Sequence, residues 1–341
     1  MPGFGSIIDQ EQPIQILTTF IKKGTIPHTL LFTGIEGVGK LAAAMTFAMA
    51  CNCITQMQNE KNAQNKSGPC DQCRSCKKIN SGNHPDIIHI KPSGHFIKIA
   101  QIRSLCQTLA MKPYEARLRV VIISDAQAMN PEAGNALLKV LEEPPDHTIL
   151  ILITMQRSDL LPTIVSRCRH IRFSPISQKI LEALLVQEKG ADPDEAIIIA
   201  AMANGSFSKA VSMSQTNWIN KRNWLIKAIG LDQPESLSSK PFALILAFAE
   251  RLSKNREILL DSLEIIKSWL RDLIIYKYYP EKIINKDLAD KIQYASQKVT
   301  VKSLLLQTEA IQSAQNNIKS NANLRLTLDV MATRLARLSN S

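Results

Sequence analysis

Glycines at regular spacing before a lysine mark the first stretch of the chain that could do chemistry. Residues 34–40 read Gly-Ile-Glu-Gly-Val-Gly-Lys, the spacing of a loop that holds phosphates with its backbone amides and its lysine. Such loops continue with Ser or Thr, whose hydroxyl binds the bridging magnesium ion, but here Leu41 follows and cannot coordinate a hard cation. The spacing therefore predicts a degenerate nucleotide-binding loop. Its candidate binding residues are Gly34, Gly37, Gly39 and Lys40.

A second candidate for phosphate chemistry follows an apolar run. Residues 119–125 read as a buried strand that ends in Asp125. In phosphate-loop proteins an Asp at this place helps to hold magnesium, although it could equally cap the next turn. ATPases of this type commonly place a Glu directly after it to activate water, and this chain has Ala126. A methyl group cannot accept a proton, so hydrolysis is not expected.

Cysteines indicate a different kind of chemistry. Cys70, Cys73 and Cys76 are spaced Cys-x-x-Cys-x-x-Cys, and a total of seven cysteines does not suit a disulfide framework. In a reducing compartment this spacing favours a metal site over unligated surface thiols, which would be reactive. Tetrahedral zinc takes four thiolate or imidazole ligands, which leave no open position. The pattern therefore predicts a structural zinc ion whose fourth ligand lies outside this run.

The fourth zinc ligand has three candidates. Cys51 and Cys53 would lie about 200° apart on a helix, so only one of them can face the cysteine run. We favour Cys53, because it is nearer the end of the helix. His84 is the remaining alternative. The stretch at about residues 51–82 is largely polar and reads as an insertion with its own metal site.

The elements that must position these residues alternate along the first half of the chain. Short apolar runs predict strands at residues 29–33, 86–90, 119–125, 148–154 and 167–173. Apolar residues at helical spacing predict helices at residues 8–23, 41–50, 99–111, 131–143 and 160–166. Strands interleaved with helices form a parallel sheet covered on both faces, so the predicted fold class is α/β.

The second half of the chain is predicted to be helical. Residues 176–214 read as a small helical lid. Beyond it, apolar residues recur at spacings of three and four, at residues 244–252, 258–279 and 301–318. We therefore expect three domains, at residues 1–175, 176–214 and 215–341.

Composition limits the partners. The 341 residues carry a net charge of +11 and a pI near 9.3, which suits a protein that works close to polyanions. A zinc-containing nucleic-acid-binding protein is therefore one alternative. No apolar run approaches the ~20 residues that span a bilayer, and the amino terminus lacks a basic region followed by an apolar one. We expect a cytoplasmic protein with no membrane partner.

Four motifs in one order carry a family resemblance. They are the phosphate loop, the cysteine run, Leu-Leu-Lys-Val-Leu-Glu-Glu-Pro-Pro at residues 137–145 and Ser-Arg-Cys at residues 166–168. Together they resemble the clamp-loader subunits of bacterial DNA polymerase III, which belong to the AAA+ class. The resemblance implies a P-loop nucleotide-binding domain, a helical lid and a helical collar that holds five subunits in a ring. It also implies tau/gamma and delta subunits as partners and, through the complex, the sliding clamp and primed DNA.

Three departures from the family's ATPase pattern distinguish between its branches. Tau/gamma subunits hydrolyse ATP, whereas delta-prime subunits share the fold and lack the catalytic groups. Leu41 and Ala126 are two such losses, and Ser208 stands where the motif Gly-Ser-x-Arg-Asp-Ala has its phosphate-sensing arginine. With these three losses the chain resembles the delta-prime branch, which implies a subunit that does not hydrolyse ATP. A tau/gamma-like ATPase is the alternative. Binding of ATP or ADP stays open, since Lys40 and the glycine amides remain.

Arg167, in Ser-Arg-Cys, resembles the family's arginine finger. The resemblance implies that it reaches the gamma-phosphate bound by a neighbouring subunit, where fixed positive charge stabilises the transition state. An arginine that caps the preceding short helix is the alternative. Thr154 matches the family's phosphate-sensing position and would be a vestige without hydrolysis. The expected function is that of a non-hydrolysing ring subunit that supplies Arg167 in trans.

Overall fold

The computed structural model describes residues 3–55, 68–229, 256–320 and 322–339. The chain forms two compact units, one of Met1–Leu181 with Ala203–Lys209 and one of Glu182–Met202 with Ala210–Ser341. Much of the expected insertion, at residues 56–67, and the helix expected at 244–252 lie outside the described residues. Within the described ranges, no helix is long and apolar enough to cross a membrane.

A parallel sheet of five strands forms the centre of the first unit, as far as the structure describes it. The strand order is β2-β3-β4-β1-β5. The strands are β1 (Thr29–Thr33), β2 (Ile87–Ile90), β3 (Arg119–Ile123), β4 (Thr148–Thr154) and β5 (Arg169–Arg172). Thr33 pairs with Thr154 on one side and with Arg172 on the other, so three strands end together. The predicted α/β class is confirmed.

Helices cover both faces of this sheet. They are α1 (Glu11–Lys23), α2 (Lys40–Cys51), α3 (Arg74–Asn80), α4 (Ile99–Leu109), α5 (Pro131–Glu142) and α6 (Pro162–Val165). Side chains alternate along β1, so Leu30 and Phe32 pack with Phe47 of α2, while Leu31 packs with Leu137 of α5. This two-sided burial explains why the central strands are continuous apolar runs.

Helix ends in this unit follow local chemistry. Asn130 caps α5, because its side-chain oxygen accepts a hydrogen bond from the Ala133 amide at 3.0 Å, and Pro131 occupies the first turn. Gly24 ends α1 in the left-handed region, with φ of 65°. The sequence therefore contains signals that place two of the elements flanking the sheet.

The strand predicted at residues 167–173 was wrong in its first two residues. The Arg167 amide donates to the Ile164 carbonyl and the Cys168 amide to the Val165 carbonyl, so both residues continue the turn that ends α6. Strand β5 begins only at Arg169. Arg167 therefore lies on a turn that leads into the sheet.

The described part of the second unit contains helices and no strand. They are α7 (Gln178–Lys189, which begins in the first unit), α8 (Pro193–Ala203, whose last residue belongs to the first unit), α9 (Phe207–Gln215, which begins in the first unit), α10 (Trp218–Ile229), α11 (Arg256–Tyr276), α12 (Ala289–Lys298), α13 (Val301–Lys319) and α14 (Leu324–Ser339). Helix α11, which carries the buried Trp269, packs against α12 and α13. The predicted helical character is confirmed, whereas α12 was missed because its composition is largely polar.

A buried polar network ties the helices of this unit together. Asp272 is buried and accepts hydrogen bonds from the Ile284 amide at 3.0 Å and the Asn285 amide at 2.8 Å. Arg222 is also buried and donates to the Asn285 side chain at 2.8 Å and to Asp287 at 3.1 Å. Because buried charges are costly without partners, these contacts fix the connection between α11 and α12.

Candidate functional site

The phosphate-type loop lies between β1 and α2 and depends on glycine. Gly34, Gly37 and Gly39 have φ angles of 145°, 79° and 98°, in a region that disfavours side chains. A Cβ atom at Gly34 would lie 2.5 Å from the Phe173 carbonyl oxygen, and one at Gly37 would lie 2.2 Å from Ser208 Oγ. The loop is therefore packed against the end of β5 and against residues 206–208.

Lys40 turns back onto its own loop. Its ammonium donates to the Gly34 carbonyl and, at 2.7 Å, to the Ile35 carbonyl, and the residue is only 8% exposed. Burial lowers the pKa of Lys40, and the nearby carboxylates of Glu36 and Asp125 act in the opposite direction. An ammonium has three donors, so these two bonds leave one N–H for an anion.

Residues 206–208 contact the loop directly. The Phe207 amide donates to the Gly37 carbonyl at 3.0 Å. Ser206 Oγ and Ser208 Oγ lie 3.4 Å apart beside the same glycine. Position 208, where the resemblance implies an arginine, is thus close to the loop but carries an uncharged hydroxyl. This group can accept or donate a hydrogen bond but adds no positive charge for a phosphate.

The two other departures from the ATPase pattern are apolar side chains. Leu41 is on the first turn of α2, and Ala126 is fully buried in the core. Asp125 adopts a left-handed conformation, with φ of 51°. Its carboxylate accepts a hydrogen bond from Gln127 at 3.4 Å and makes no side-chain cap of the following turn. Neither the Leu41 nor the Ala126 side chain has a polar atom that could bind magnesium or activate water.

Four cysteine side chains converge at the end of α2 and the start of α3. The sulfur atoms of Cys53, Cys70, Cys73 and Cys76 all lie within 4.8 Å of one another. Zinc–sulfur bonds of 2.3 Å in a tetrahedron would place sulfur atoms about 3.8 Å apart, so the arrangement suits a metal ion after a small contraction. The structure thus brings together the four residues expected as ligands, and this cluster could bind a metal.

Local hydrogen bonds shape this cysteine cluster. Cys70 Sγ accepts from the Thr55 hydroxyl and from the Cys73 amide, both at 3.3 Å. Burial alone would raise the pKa of Cys70, but these bonds, together with those from the Gln72 amide and the Cys53 side chain, lower it to about 6. Burial raises the pKa of Cys76. The donors to Cys70 favour a thiolate, which is the form that binds metal.

The two alternative ligands lie outside the cluster. Cys51 is buried on the last turn of α2, and burial raises its pKa to about 12, which favours the thiol. His84 is also buried, and its Nδ1 accepts a hydrogen bond from the Asp86 amide at 3.2 Å. Neither belongs to the group of converging sulfur atoms.

Arg167 is held by its own subunit at the end of α6. One terminal nitrogen, Nη1, donates to the Thr163 carbonyl at 3.0 Å and to Ser166 Oγ at 3.4 Å. The other, Nη2, donates to Glu142 Oε1 at 2.8 Å, and the two side chains are 36% and 51% exposed. An exposed ion pair of this kind is worth roughly 0–1 kcal/mol. Arg167 therefore does cap α6, and its pair with Glu142 is weak enough to rearrange.

Two further contacts at the strand ends were not foreseen from the sequence. The Thr154 hydroxyl donates to Asp159 at 3.1 Å, and Thr33 Oγ1 lies 2.6 Å from His170 Nε2. Thr154 is thus tied into the turn that follows β4.

The contact between Glu142 and Arg167 was also not foreseen from the sequence, although both residues lie in motifs that carry the family resemblance.

Comparison with known proteins assigns the chain to a family. A family model described as DNA polymerase III, delta subunit, matches residues 9–177, and one described as its C terminal matches residues 216–337. The DNA polymerase III subunit delta' of Bacillus subtilis (strain 168) is 33% identical over 322 residues, which cover 93% of each chain. The chain belongs to the delta-prime family of DNA polymerase III clamp-loader subunits. The resemblance drawn from the motifs is confirmed.

The chain is also similar to tau/gamma subunits and to solved structures. The tau/gamma subunit of Haemophilus influenzae is 31% identical over 216 residues, which cover 62% of this chain and 30% of that protein. A gamma subunit-related protein from Thermotoga maritima has a TM-score of 0.46 at 20% identity and covers 97% of this chain and 100% of its own. As a delta-prime family member, the chain is an accessory subunit of DNA polymerase III and a clamp-loader component.

Proposed function

We propose that this delta-prime chain is a ring subunit that does not hydrolyse ATP and that supplies Arg167 to a neighbouring ATPase subunit. In this proposal its partners are the tau/gamma and delta subunits and, through the complex, the sliding clamp and primed DNA in the cytoplasm. The observation that carries it is the exposed guanidinium of Arg167 in a chain whose own loop lacks the groups for hydrolysis.

The residues around the loop do not fit a magnesium nucleotide that is turned over. Leu41 has no oxygen for the metal, the buried methyl of Ala126 cannot activate water, and Ser208 adds no charge. We therefore assign the loop a structural role. Its glycines and Lys40 hold β1, β5 and residues 206–208 together.

The same proposal gives the cysteine cluster a structural zinc ion. Cys53, Cys70, Cys73 and Cys76 would supply four thiolates, a donor set that suits zinc. Four protein ligands leave no position for substrate, so the metal joins the end of α2 to α3 and takes no part in a reaction.

Replacing Arg167 in a reconstituted clamp loader tests the proposal. In the Arg167→Ala loader, ATP hydrolysis at the neighbouring site that Arg167 serves should slow by about 10³-fold or more. The total ATP hydrolysis rate of the loader should therefore fall by the share that this site contributes. Steady-state hydrolysis with primed DNA and clamp measures the effect. Arg169→Ala is the matched control, because it removes an exposed arginine two residues away.

Equal rates for wild type and Arg167→Ala, with the complex intact by gel filtration, would remove Arg167 from the mechanism. A loss of the same size in Arg169→Ala would assign the effect to surface charge in general.

A further inference from the structure

Glu142 occupies a place where a carboxylate is locally unfavourable. It is the last residue of α5, and the carbonyl end of a helix carries partial negative charge that favours cations. Its carboxylate accepts a hydrogen bond from Arg167 at 2.8 Å. The contact thus places a second positive charge, beside that of Lys139 in the last turn, at this helix end.

Packing fixes the distance between these two residues. Gly134 of α5 lies against α6, because a Cβ atom there would be 3.2 Å from Leu161 Cδ1 and 3.7 Å from Ile164 Cδ1. The Arg167 amide is bonded to the Ile164 carbonyl, so the backbone of Arg167 moves with α6. Two prolines follow Glu143 and restrict the chain beyond α5. Both ends of the pair are therefore on rigid supports.

The guanidinium keeps donors for a further anion. It has five N–H groups, and three are accounted for by Thr163, Ser166 and Glu142. Nε and one hydrogen of Nη2 have no partner among the described residues. Glu142 and the Thr163 carbonyl thus restrain the group while two donors remain for a phosphate.

We propose that Glu142 is a positioning residue for Arg167. It restricts the rotamers of the arginine so that the two remaining donors face the neighbouring subunit's nucleotide. This inference rests on the proposed function of Arg167. An opposite role, in which the carboxylate holds the arginine away from the phosphate, would make removal of Glu142 raise the rate.

The test uses the reconstituted loader with Glu142→Ala, Glu142→Gln and the control Glu143→Ala, each with and without Arg167→Ala. Losing an exposed ion pair lowers the equilibrium constant for the aimed rotamer by at most about 5-fold, so Glu142→Ala should lower the Arg167-dependent part of kcat by about 2- to 5-fold. KM for ATP should stay unchanged. Glu142→Gln should retain an intermediate rate, because an amide oxygen still accepts the hydrogen bond.

The double variants separate positioning from folding. In the Arg167→Ala background, Glu142→Ala should cause no further loss, and Glu143→Ala should match its parent in both backgrounds. A rate increase, an effect equal to that of Glu143→Ala, or an additive loss in the double variant would overturn the inference. If Arg167→Ala alone has no effect, the proposed function fails as well; if it lowers the rate while Glu142→Ala does not, only this inference fails.

Discussion

At the scale of single residues, the chain separates groups that are held for structure from groups left available for a partner. Cys53, Cys70, Cys73 and Cys76 converge from two segments of the chain. Cys51, two residues from Cys53, is buried apart from them and is favoured as a thiol. The two neighbouring cysteines therefore differ in chemistry because of where α2 ends.

This difference predicts the outcome of two serine substitutions. Cys53→Ser should lose the zinc ion and lower the free energy of unfolding by about 2 kcal/mol or more, because a metal that binds only the folded state stabilises it. Cys51→Ser should keep one zinc per chain and cost only about 1 kcal/mol for its buried hydroxyl. Metal content after dialysis against a mild chelator, together with thermal unfolding, measures both.

One zinc per chain in Cys53→Ser, at the level of Cys51→Ser, would exclude Cys53 as a ligand. Treating the unaltered chain with a strong chelator should reproduce the loss of stability seen in Cys53→Ser.

At the scale of elements, the loop between β1 and α2 is a packing device. Lys40 donates hydrogen bonds to the carbonyls of Gly34 and Ile35 in the same loop. Gly34 lies against the backbone of Phe173, at the end of β5. The shape of the loop therefore has a packing role that does not depend on nucleotide chemistry. The segment at residues 206–208 completes the contact through the Phe207 amide.

Two glycine substitutions test this packing role. Gly34→Ala should lower the free energy of unfolding by about 2–4 kcal/mol, because φ of 145° is strained for alanine and its Cβ would meet the Phe173 carbonyl at 2.5 Å. Gly24→Ala is the control, with φ of 65° and open space around the Cβ position. It should cost only about 1–2 kcal/mol for the left-handed conformation.

Denaturant unfolding of both variants measures the difference. An equal loss in the two would show that the loop tolerates a side chain and that the close approach to Phe173 does not matter.

At the scale of the whole molecule, the chain is an accessory protein whose proposed chemistry needs a second subunit. Leu41 offers no magnesium ligand, Ala126 no base and Ser208 no positive charge, whereas the exposed guanidinium at the end of α6 keeps donors for an anion. The basic charge of +11 agrees with work close to DNA within a complex, although charge by itself concerns association rather than fold.

The isolated chain should therefore show no ATP turnover of its own. In the Lys40→Ala variant the loop loses the side chain most suited to a phosphate. The two proteins should have the same rate of ATP hydrolysis, because neither has a magnesium ligand at position 41 or a base at position 126. A coupled ATPase assay on the two purified proteins makes the comparison. Faster turnover by the unaltered chain, abolished in Lys40→Ala, would make it an active ATPase.

Much of this description follows from local patterns. Buried strands read as apolar runs because both sheet faces are covered, and Asn130 with Pro131 marks a helix start. Spacing marks three of the four converging cysteines, and residue types at three positions predict that the chain does not hydrolyse ATP. Less regular signals failed: α12 has few apolar residues beside the buried Ile292 and Ala295, and the basic run at Arg167 concealed a turn before β5.

The sequence by itself determined the kinds of group available: a loop without a metal ligand, four thiols, and an arginine in a family motif. Only the tertiary structure decided which groups meet. It brought Cys53 to the cysteine run, Ser208 to Gly37, and Glu142 to Arg167. These contacts join residues 17 or more positions apart, and their distances depend on how helices pack on the sheet, which no local pattern specifies.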